Sequence, residues 1–286
     1  VHVGHQVIIR RLNKLAKDIN GESVLITFHP HPRRVLYPDT KGKDLMLICS
    51  QKEKIELLED TGLDNLIILN FTKEFSKTTS HSFVEDMLIG MLRAKMIVVG
   101  FNHHFGHNRE GDYEYLYKLG RNHGFEVEEI PEQDIQNESV SSTKIRKALL
   151  EGNIRRANAY LDHYYFANGV LRYNSSRSIL MNLELYSFKL DENVKLIPPD
   201  GVYAVNIKTK TGYSRAMLRI EGHEIINNEF ASGLTIEIHP FEENISEQEV
   251  GIYFHKKIRD KCNNQDTEYL KKQWLKDKAE IEELIY

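Results

Sequence analysis

Two histidines open the chain at a spacing that suits phosphate chemistry. His2 and His5 flank Gly4, and apolar residues at helical spacing follow along residues 7–15, so the pattern predicts a helix that begins at this tetrad. A helix N-terminus offers unpaired backbone N–H groups and a partial positive charge, and both favour phosphate. Gly4 would let a ligand approach the backbone, and imidazoles three residues apart share one helical face. These features suit transfer of a nucleotide from ATP to another phosphate, although histidines near a helix start are more often ordinary surface residues.

Three further segments carry side chains that could bind phosphate. His29-Pro30-His31-Pro32 follows an apolar run, and its prolines would hold a rigid loop that presents the imidazoles. The glycines of Gly100–Gly106 bracket a tight loop in which Asn102 can donate to a phosphate or a base. Ser141–Arg146 places hydroxyls at a helix start with Arg146 one turn later, which makes a second anion site. Each segment also has a structural alternative: a capped loop, surface histidines, or a plain N-cap with a solvated arginine.

These segments lie at the ends of elements predicted in the first 160 residues. Short apolar runs alternate there with amphipathic helices, which is typical of a parallel sheet with helices on both faces. Ligands of such sheets bind beyond the carboxyl ends of the strands, where two of the segments lie. We therefore predict a Rossmann-like α/β domain over residues 1–160. The predicted strands are 23–28, 66–69, 96–100 and 125–130, and the predicted helices are the opening one, 50–62, 80–93, 112–123 and one capped by Ser141 or Ser142.

The pattern changes near residue 160. Runs at 201–207, 214–220 and 234–239, with a further one at 250–254, are separated by Gly, Asn and Pro turns and are typical of strands. They predict a small antiparallel β-barrel over residues 161–286. A charged helix from about residue 266 closes the chain.

Composition narrows the class of protein. The chain has 286 residues, enough for two domains with their own cores. With 28% charged and 41% hydrophobic residues and a net charge of −4, nothing indicates a nucleic-acid-binding surface. No apolar run approaches the ~20 residues that span a bilayer. Cys49 and Cys262 lie in unrelated contexts, which favours a reducing compartment and hence the cytoplasm.

The order of the motifs resembles a known family. His-x-Gly-His is followed by the His-Pro-His-Pro segment within Thr27–Pro32, by Val98–Gly106 with Arg109–Asp112, and by Ser-Ser-Thr-x-Ile-Arg over Ser141–Arg146. This order is similar to that of the bacterial bifunctional riboflavin kinase/FMN adenylyltransferases, also called FAD synthetases, over essentially the whole chain. In that family a strand ending Gly-x-Phe-Asp-Gly precedes the first motif, whereas this chain opens in mid-motif without a methionine. We therefore expect the N-terminal strand of the domain to be missing from this sequence.

The resemblance implies a role for each matched residue. His2 and His5 would bind the ATP phosphates and stabilise charge at the α-phosphate, with Gly4 between them and His31 and Asn102 at the same centre. The phosphate of FMN would attack ATP directly, giving FAD and pyrophosphate, while Mg²⁺ neutralises the triphosphate and no protein metal site is predicted. The residues that would hold the leaving pyrophosphate side are Ser142, Thr143 and Arg146.

The second half resembles the riboflavin-kinase barrel through residues 196–205 and 235–239, but its chemical motifs are altered. An alignment without gaps places Leu185 and Ser187 where the family has a threonine and an asparagine that hold Mg²⁺ and ATP phosphates. A later Asn-Ile-Gly-x-x-Pro-Thr motif also lacks its Pro-Thr. Only Glu237, the family's base for the riboflavin hydroxyl, matches. Because leucine cannot ligate a metal or bond a phosphate, we expect an impaired kinase.

Three alternatives compete with this interpretation. The protein could keep both activities, with kinase phosphates held by unrecognised residues, or it could be a non-catalytic flavin-binding regulator descended from such an enzyme. The histidines could also form a transition-metal site, but no Asp, Glu or Cys stands at ligand spacing. The predicted partners are small molecules, namely FMN, ATP and riboflavin, without nucleic acid or membrane, and the sequence does not indicate an oligomeric state.

Overall fold

The computed structural model describes residues 1–39, 45–132, 134–135, 138–223, 225–226, 229–230, 234–242, 245, 249–262 and 266–285. Contacts divide the chain into two compact units. The first comprises Val1–Leu45 and Lys54–Val140, and the second comprises Met46–Glu53 and Ser141–Tyr286. The contacts assign residues 141–160 to the second unit. The domain boundary expected at residue 160 stays a prediction.

Four strands of the first unit run in parallel pairs. β1 pairs with β2 and β3 pairs with β4, so the described residues form two two-stranded parallel sheets rather than one continuous sheet. Their limits lie within one residue of the predicted runs, and the pairing confirms the predicted parallel α/β class. β5 and β6 form a short antiparallel pair. The strands are β1 (Val24–His29), β2 (Asn65–Asn70), β3 (Met96–Gly100), β4 (Glu126–Ile130), β5 (Asp134–Ile135) and β6 (Glu138–Ser139).

The helices between these strands begin and end at recognisable signals. In the helix predicted over 112–123, Asp112 accepts a hydrogen bond from the Tyr115 backbone N–H at 2.9 Å, and Gly124 ends the helix with φ +75°. The helix predicted over 80–93 differs in form, because α4 is capped by Thr79 and continues as a π-helix over Phe83–Met91. The helices are α1 (Val3–Asp18), α2 (Pro32–Leu36), α3 (Gln51–Glu59), α4 (Ser80–Ser82) and α5 (Tyr113–His123).

The second unit contains a closed six-stranded antiparallel barrel, which confirms the predicted architecture. Around the barrel the strands follow the order β10-β13-β8-β7-β14-β9. Its first two strands in the chain were not predicted from the sequence. A two-residue pair, β11 (Ile225–Ile226) and β12 (Glu229–Phe230), stands apart from it. The barrel strands are β7 (Tyr165–Tyr173), β8 (Tyr186–Leu190), β9 (Gly201–Lys208), β10 (Tyr213–Glu221), β13 (Thr235–Pro240) and β14 (Glu249–Arg259).

The described residues of the second unit form four helices besides the barrel. They are α6 (Ser142–Leu150), α7 (Ile154–Leu161), α8 (Ser175–Met181) and α9 (Thr267–Leu284). The predicted closing helix is α9, whose Trp274 and Ile281 are 3% and 0% exposed. They pack in one core cluster with Ala204 and Met217 of the barrel. Burial of these large apolar side chains holds α9 against the barrel wall.

A buried ion pair fixes the segment Met46–Glu53 within the second unit. Glu53 Oε2 and Lys195 Nζ are 2.6 Å apart, and the two side chains are only 1% and 2% exposed. Lys195 also donates to the Ile48 carbonyl at 2.6 Å, and Glu53 Oε1 accepts from the Asn168 backbone N–H at 3.0 Å. A buried pair needs such additional partners to offset its desolvation. The segment is therefore held by buried polar contacts.

Candidate active site

The tetrad at the start of the chain forms the N-terminus of α1, as predicted. His2 is the N-cap residue, with extended backbone, and its carbonyl accepts the hydrogen bond of the Gln6 N–H at 3.1 Å. The rings of His2 and His5 lie together, with centroids 3.8 Å apart and planes inclined by 33°. A Cβ on Gly4 would stand 3.2 Å from the His2 ring. Glycine therefore leaves room for that ring over the first helical turn.

The environment of these rings keeps them neutral at neutral pH. Burial lowers the pKa of His2 to about 4. The pKa of His5 is also lowered, first by desolvation, then by repulsion from His2 when that ring is protonated, and by the positive charges of the N-terminus and Lys54. A neutral imidazole has one N–H donor and one acceptor nitrogen. The buried Nδ1 of His2 has no hydrogen-bond partner in the part of the chain that the structure describes.

Lys54 is a cation of this region that the sequence analysis did not identify. It lies on α3, and its Nζ donates to the Thr27 hydroxyl of β1 at 3.2 Å. Its charge contributes to the lowered pKa of His5. No motif or local spacing marks this lysine, because the contacts that bring α3 to β1 join residues 27 positions apart. Only the fold reveals it.

His31 is held by its own loop. It is the N-cap of α2, and its Nδ1 accepts a hydrogen bond from the Arg33 backbone N–H at 3.2 Å. Such capping is the structural alternative that the sequence left open for the segment His29-Pro30-His31-Pro32. The His29–Pro30 peptide bond is cis. Because Nδ1 accepts, the ring proton lies on Nε2. His31 can thus cap a helix and present an N–H donor at Nε2.

A clamped loop carries Asn102. Phe105 and Gly111 exchange two backbone hydrogen bonds, each 3.0 Å long. The Glu110 carboxylate accepts from the Ser80 backbone N–H at 2.8 Å. Asn102 itself is exposed, with a left-handed backbone at φ +55°. The His103 backbone N–H donates to the Gly100 carbonyl at 3.1 Å, so Asn102 lies in a tight turn directly after β3.

Ser142, Thr143 and Arg146 lie in the second unit, whereas the residues described so far lie in the first. Ser141 is the N-cap of α6 and accepts from the Lys144 N–H at 3.4 Å, so Ser142 and Thr143 are the first two helical residues. The Nε of Arg146 donates to the Met46 carbonyl at 3.1 Å. These contacts give the guanidinium a defined direction one turn into the helix.

Glu237 lies in the barrel between two arginines. Its side chain is 8% exposed, with Oε1 3.2 Å from Arg177 Nε and Oε2 3.3 Å from Arg219 Nη1. In the strand register Glu237 is opposite Ser187 of β8. Neither arginine was recognised from the sequence, since Arg219 is opposite Glu237 in the β10–β13 register and Arg177 comes from α8. Both carboxylate oxygens are thereby engaged in a buried ion-pair cluster.

Leu185, the residue aligned with the metal-binding threonine, is a core residue. It is 0% exposed and belongs to the cluster that includes Trp274. Its backbone N–H donates to the Ser178 hydroxyl at 3.0 Å, and that hydroxyl donates to its carbonyl at 3.3 Å. Its side chain packs in the core, and its backbone N–H and carbonyl are both hydrogen-bonded to Ser178. Residue 185 therefore offers no polar side chain to a ligand.

The described residues contain no group of three or more His, Cys, Asp or Glu side chains that could hold a metal ion. Within the same ranges, none of the helices has the length and apolar character needed to cross a membrane.

Two family models match successive parts of the chain. Residues 1–144 match the family model of FAD synthetase, and residues 161–285 match that of riboflavin kinase. The bifunctional riboflavin kinase/FMN adenylyltransferase of Buchnera aphidicola subsp. Schizaphis graminum is 29% identical, over 97% of this chain and 88% of that protein. The protein of the same name from Listeria monocytogenes is 27% identical, over 98% of this chain and 88% of its own.

A solved structure has the same fold over nearly the whole chain. It is titled as the crystal structure of a macrolide-efflux protein from Streptococcus pneumoniae, and it superposes with a TM-score of 0.86 at 27% identity. The superposition covers 98% of this chain and 89% of that one. The FAD synthetase model alone spans half of the 286 residues. The chain therefore belongs to the family of bifunctional riboflavin kinase/FMN adenylyltransferases, also called FAD synthetases.

Proposed function

We propose that this protein is an FMN adenylyltransferase that makes FAD and pyrophosphate from FMN and ATP. The observation that carries the proposal is the close pair of His2 and His5 rings at the N-terminus of α1. The pair combines ring N–H donors with the free N–H groups and positive dipole of a helix start. It lies in the part of the chain that matches FAD synthetase.

The proposed reaction is a single displacement at the α-phosphate of ATP. An oxygen of the FMN phosphate forms a bond to that phosphorus while the bond to the bridging oxygen breaks, and the electron pair leaves with pyrophosphate. No covalent enzyme intermediate is required. The protein's part is to orient the two phosphates and to stabilise charge on the equatorial oxygens.

Each candidate residue has a role in this scheme that its contacts permit. His2 and His5 would donate to the α-phosphate oxygens, and the Nε2–H of His31 and the amide of Asn102 would donate at the same centre. The hydroxyls and backbone N–H groups at the start of α6, with Arg146, would bind the leaving pyrophosphate. All of these groups act by hydrogen bonding and charge, since none needs to lose a proton.

The Mg²⁺ of this reaction would arrive with ATP rather than occupy a site built by the protein. Mg²⁺ in nucleotide enzymes is commonly bound through substrate phosphates and one or two carboxylates, with water completing its shell. When bound to the triphosphate, the ion neutralises part of its charge.

For the barrel we propose that riboflavin kinase activity is impaired. Glu237 is the expected base, but arginines engage both of its carboxylate oxygens, Arg177 at Oε1 and Arg219 at Oε2. Ser187, opposite Glu237 in the register, stands at the position of the metal-binding asparagine in the ungapped alignment. The buried Leu185 stands at that of the threonine. The donor set therefore does not fit the metal that the related kinases use, and no kinase step is assigned to it.

One assay tests both parts of the proposal. The full-length protein is incubated with ATP and Mg²⁺ and given either FMN or riboflavin, and the flavins are separated by chromatography. We expect FMN to become FAD with release of pyrophosphate, and riboflavin to remain unconverted. A folded protein that makes no FAD would refute the adenylyltransferase and favour a non-catalytic flavin-binding regulator. Conversion of riboflavin as well would show a fully bifunctional enzyme.

Arg146 provides a test of the second unit's contribution. The substitution Arg146→Lys keeps the positive charge but removes the planar fork and the Nε donor that bonds the Met46 carbonyl. We expect kcat/KM for ATP in FAD formation to fall about tenfold, the scale of one lost charge-assisted hydrogen bond. The measurement is initial rate against ATP concentration at saturating FMN. Wild-type kinetics for this variant would show that Arg146 serves only the structure of the second unit.

A further inference from the structure

We infer that Lys54 is a further phosphate-binding residue of this site, and that its ammonium binds the triphosphate of ATP. The inference rests on the adenylyltransferase function proposed above. It adds to the site a residue that belongs to none of the motifs shared with the family. The argument depends on where the fold places this side chain.

The first step concerns position. The Nζ of Lys54 lies 3.2 Å from the hydroxyl of Thr27, which is near the carboxyl end of β1. Ligands of parallel α/β sheets bind beyond that end of the strands. The segment that leads to His31 continues from the same strand end. Lys54 therefore reaches from α3 to the edge where a nucleotide is expected.

The second step concerns charge. The lowered pKa values of His2 and His5 leave both imidazoles neutral near pH 7, so they supply dipoles and not formal charge. A nucleoside triphosphate carries several negative charges that a site normally balances with cations. Lys54 supplies a positive charge, and its effect on the pKa of His5 indicates that this charge acts at the same place.

The third step concerns orientation. A lysine ammonium is a flexible point charge that binds phosphate without a fixed geometry. The bond to Thr27 restricts that flexibility, and the side chain is only partly exposed. An ammonium held in this way loses less entropy when a phosphate binds. The pairing of Lys54 and Thr27 thus resembles a preorganised phosphate contact more than a solvated surface lysine.

The test compares charge removal with charge retention. Lys54→Gln keeps a hydrogen-bond donor for Thr27 and removes the charge, whereas Lys54→Arg keeps the charge. Lys14→Met is the matched control, since Lys14 is an exposed lysine of α1. Binding of Mg²⁺-pyrophosphate and of Mg²⁺-ATP to the full chain is measured by calorimetry, after thermal melting has shown that each variant is folded. We expect Lys54→Gln to weaken both affinities about tenfold or more, and the Arg and control variants to stay within about threefold of wild type.

A second readout does not depend on any ligand. The pKa of His5, followed by NMR titration of the ring, should rise in Lys54→Gln because a neighbouring positive charge has been removed. A merely structural lysine far from the ring would leave this value unchanged. Equal loss of affinity in the Gln and Arg variants would indicate a packing role and overturn the inference.

The outcomes separate this inference from the function on which it rests. Wild-type affinities in folded Lys54→Gln, in a protein that makes FAD, would refute the role of Lys54 and leave the adenylyltransferase intact. Charge-dependent binding of pyrophosphate in a protein that makes no FAD would support the phosphate site and refute the proposed reaction.

Discussion

Replacing His5 by alanine is expected to lower the turnover of FMN to FAD by about 10²–10³, the range for loss of one preorganised electrostatic group. The ring of His5 lies against that of His2 at the N-terminus of α1, with the charge of Lys54 acting on it. Its neutral ring would donate one N–H to the α-phosphate, where charge develops in the transition state. The loss should therefore appear in kcat at saturating FMN and ATP more than in KM for either substrate.

His81→Ala is the matched control for this experiment. His81 is an exposed histidine of α4 that pairs with Glu85 at 3.1 Å, away from the tetrad in the chain. We expect its turnover to remain that of the wild type. Thermal melting of both variants excludes a loss of folded protein as the cause. A His5→Ala protein that is folded and turns over at the wild-type rate would contradict the assignment of the tetrad to the reacting phosphate.

The residues of the tetrad could be predicted because their arrangement is local. His2, Gly4 and His5 fall within one helical turn, so their spacing alone places both imidazoles on one face. The caps of α5 are local in the same way, since Asp112 and Gly124 act on N–H and carbonyl groups of neighbouring turns. Short-range geometry of this kind can be read from a sequence.

Long-range contacts explain what the sequence did not reveal. Lys54 donates a hydrogen bond to Thr27, and Glu237 forms an ion pair with Arg177, which lies 60 positions away. No periodicity connects such residues, because strand register and helix packing bring them together. The parallel pairing of β1 with β2 was predictable, but the division of the four strands into two sheets depends on which neighbours each strand finds.

A related cause explains why β7, one of the two barrel strands absent from the sequence prediction, was missed. β7 contains the dipeptide Asn168-Gly169, which is typical of a turn. Pairing with its two neighbours in the closed barrel keeps this strand extended. A Cβ at Gly169 would lie 2.2 Å from the Lys189 carbonyl, so glycine permits the close approach of β8 at this point. Tertiary contact here overrides the local preference for a turn.

The largest effect is expected in the second unit, where conversion of riboflavin to FMN should be about 10⁴ slower than in a kinase with an intact phosphate site. Phosphoryl transfer needs Mg²⁺ bridging the ATP phosphates and donors for the developing charge. The ungapped alignment places the buried Leu185 and Ser187 at the positions of two groups of that kind. Each lost electrostatic contact costs about 3 kcal/mol of barrier, so two account for a factor of about 10⁴.

The ion pairs of Glu237 strengthen this expectation. A general base must have an oxygen free for the riboflavin hydroxyl, but both carboxylate oxygens of Glu237 are already bound, by Arg177 and Arg219. Restoring one group is therefore not expected to restore activity, since Leu185→Thr would also leave a hydroxyl in an apolar core. The assay supplies riboflavin, ATP and Mg²⁺ to a preparation whose conversion of FMN to FAD shows that the protein is folded and active. Steady formation of FMN would mean that a shifted alignment hides working ligands, with Asn182 the nearest candidate, and that the arginines release Glu237 when substrate binds.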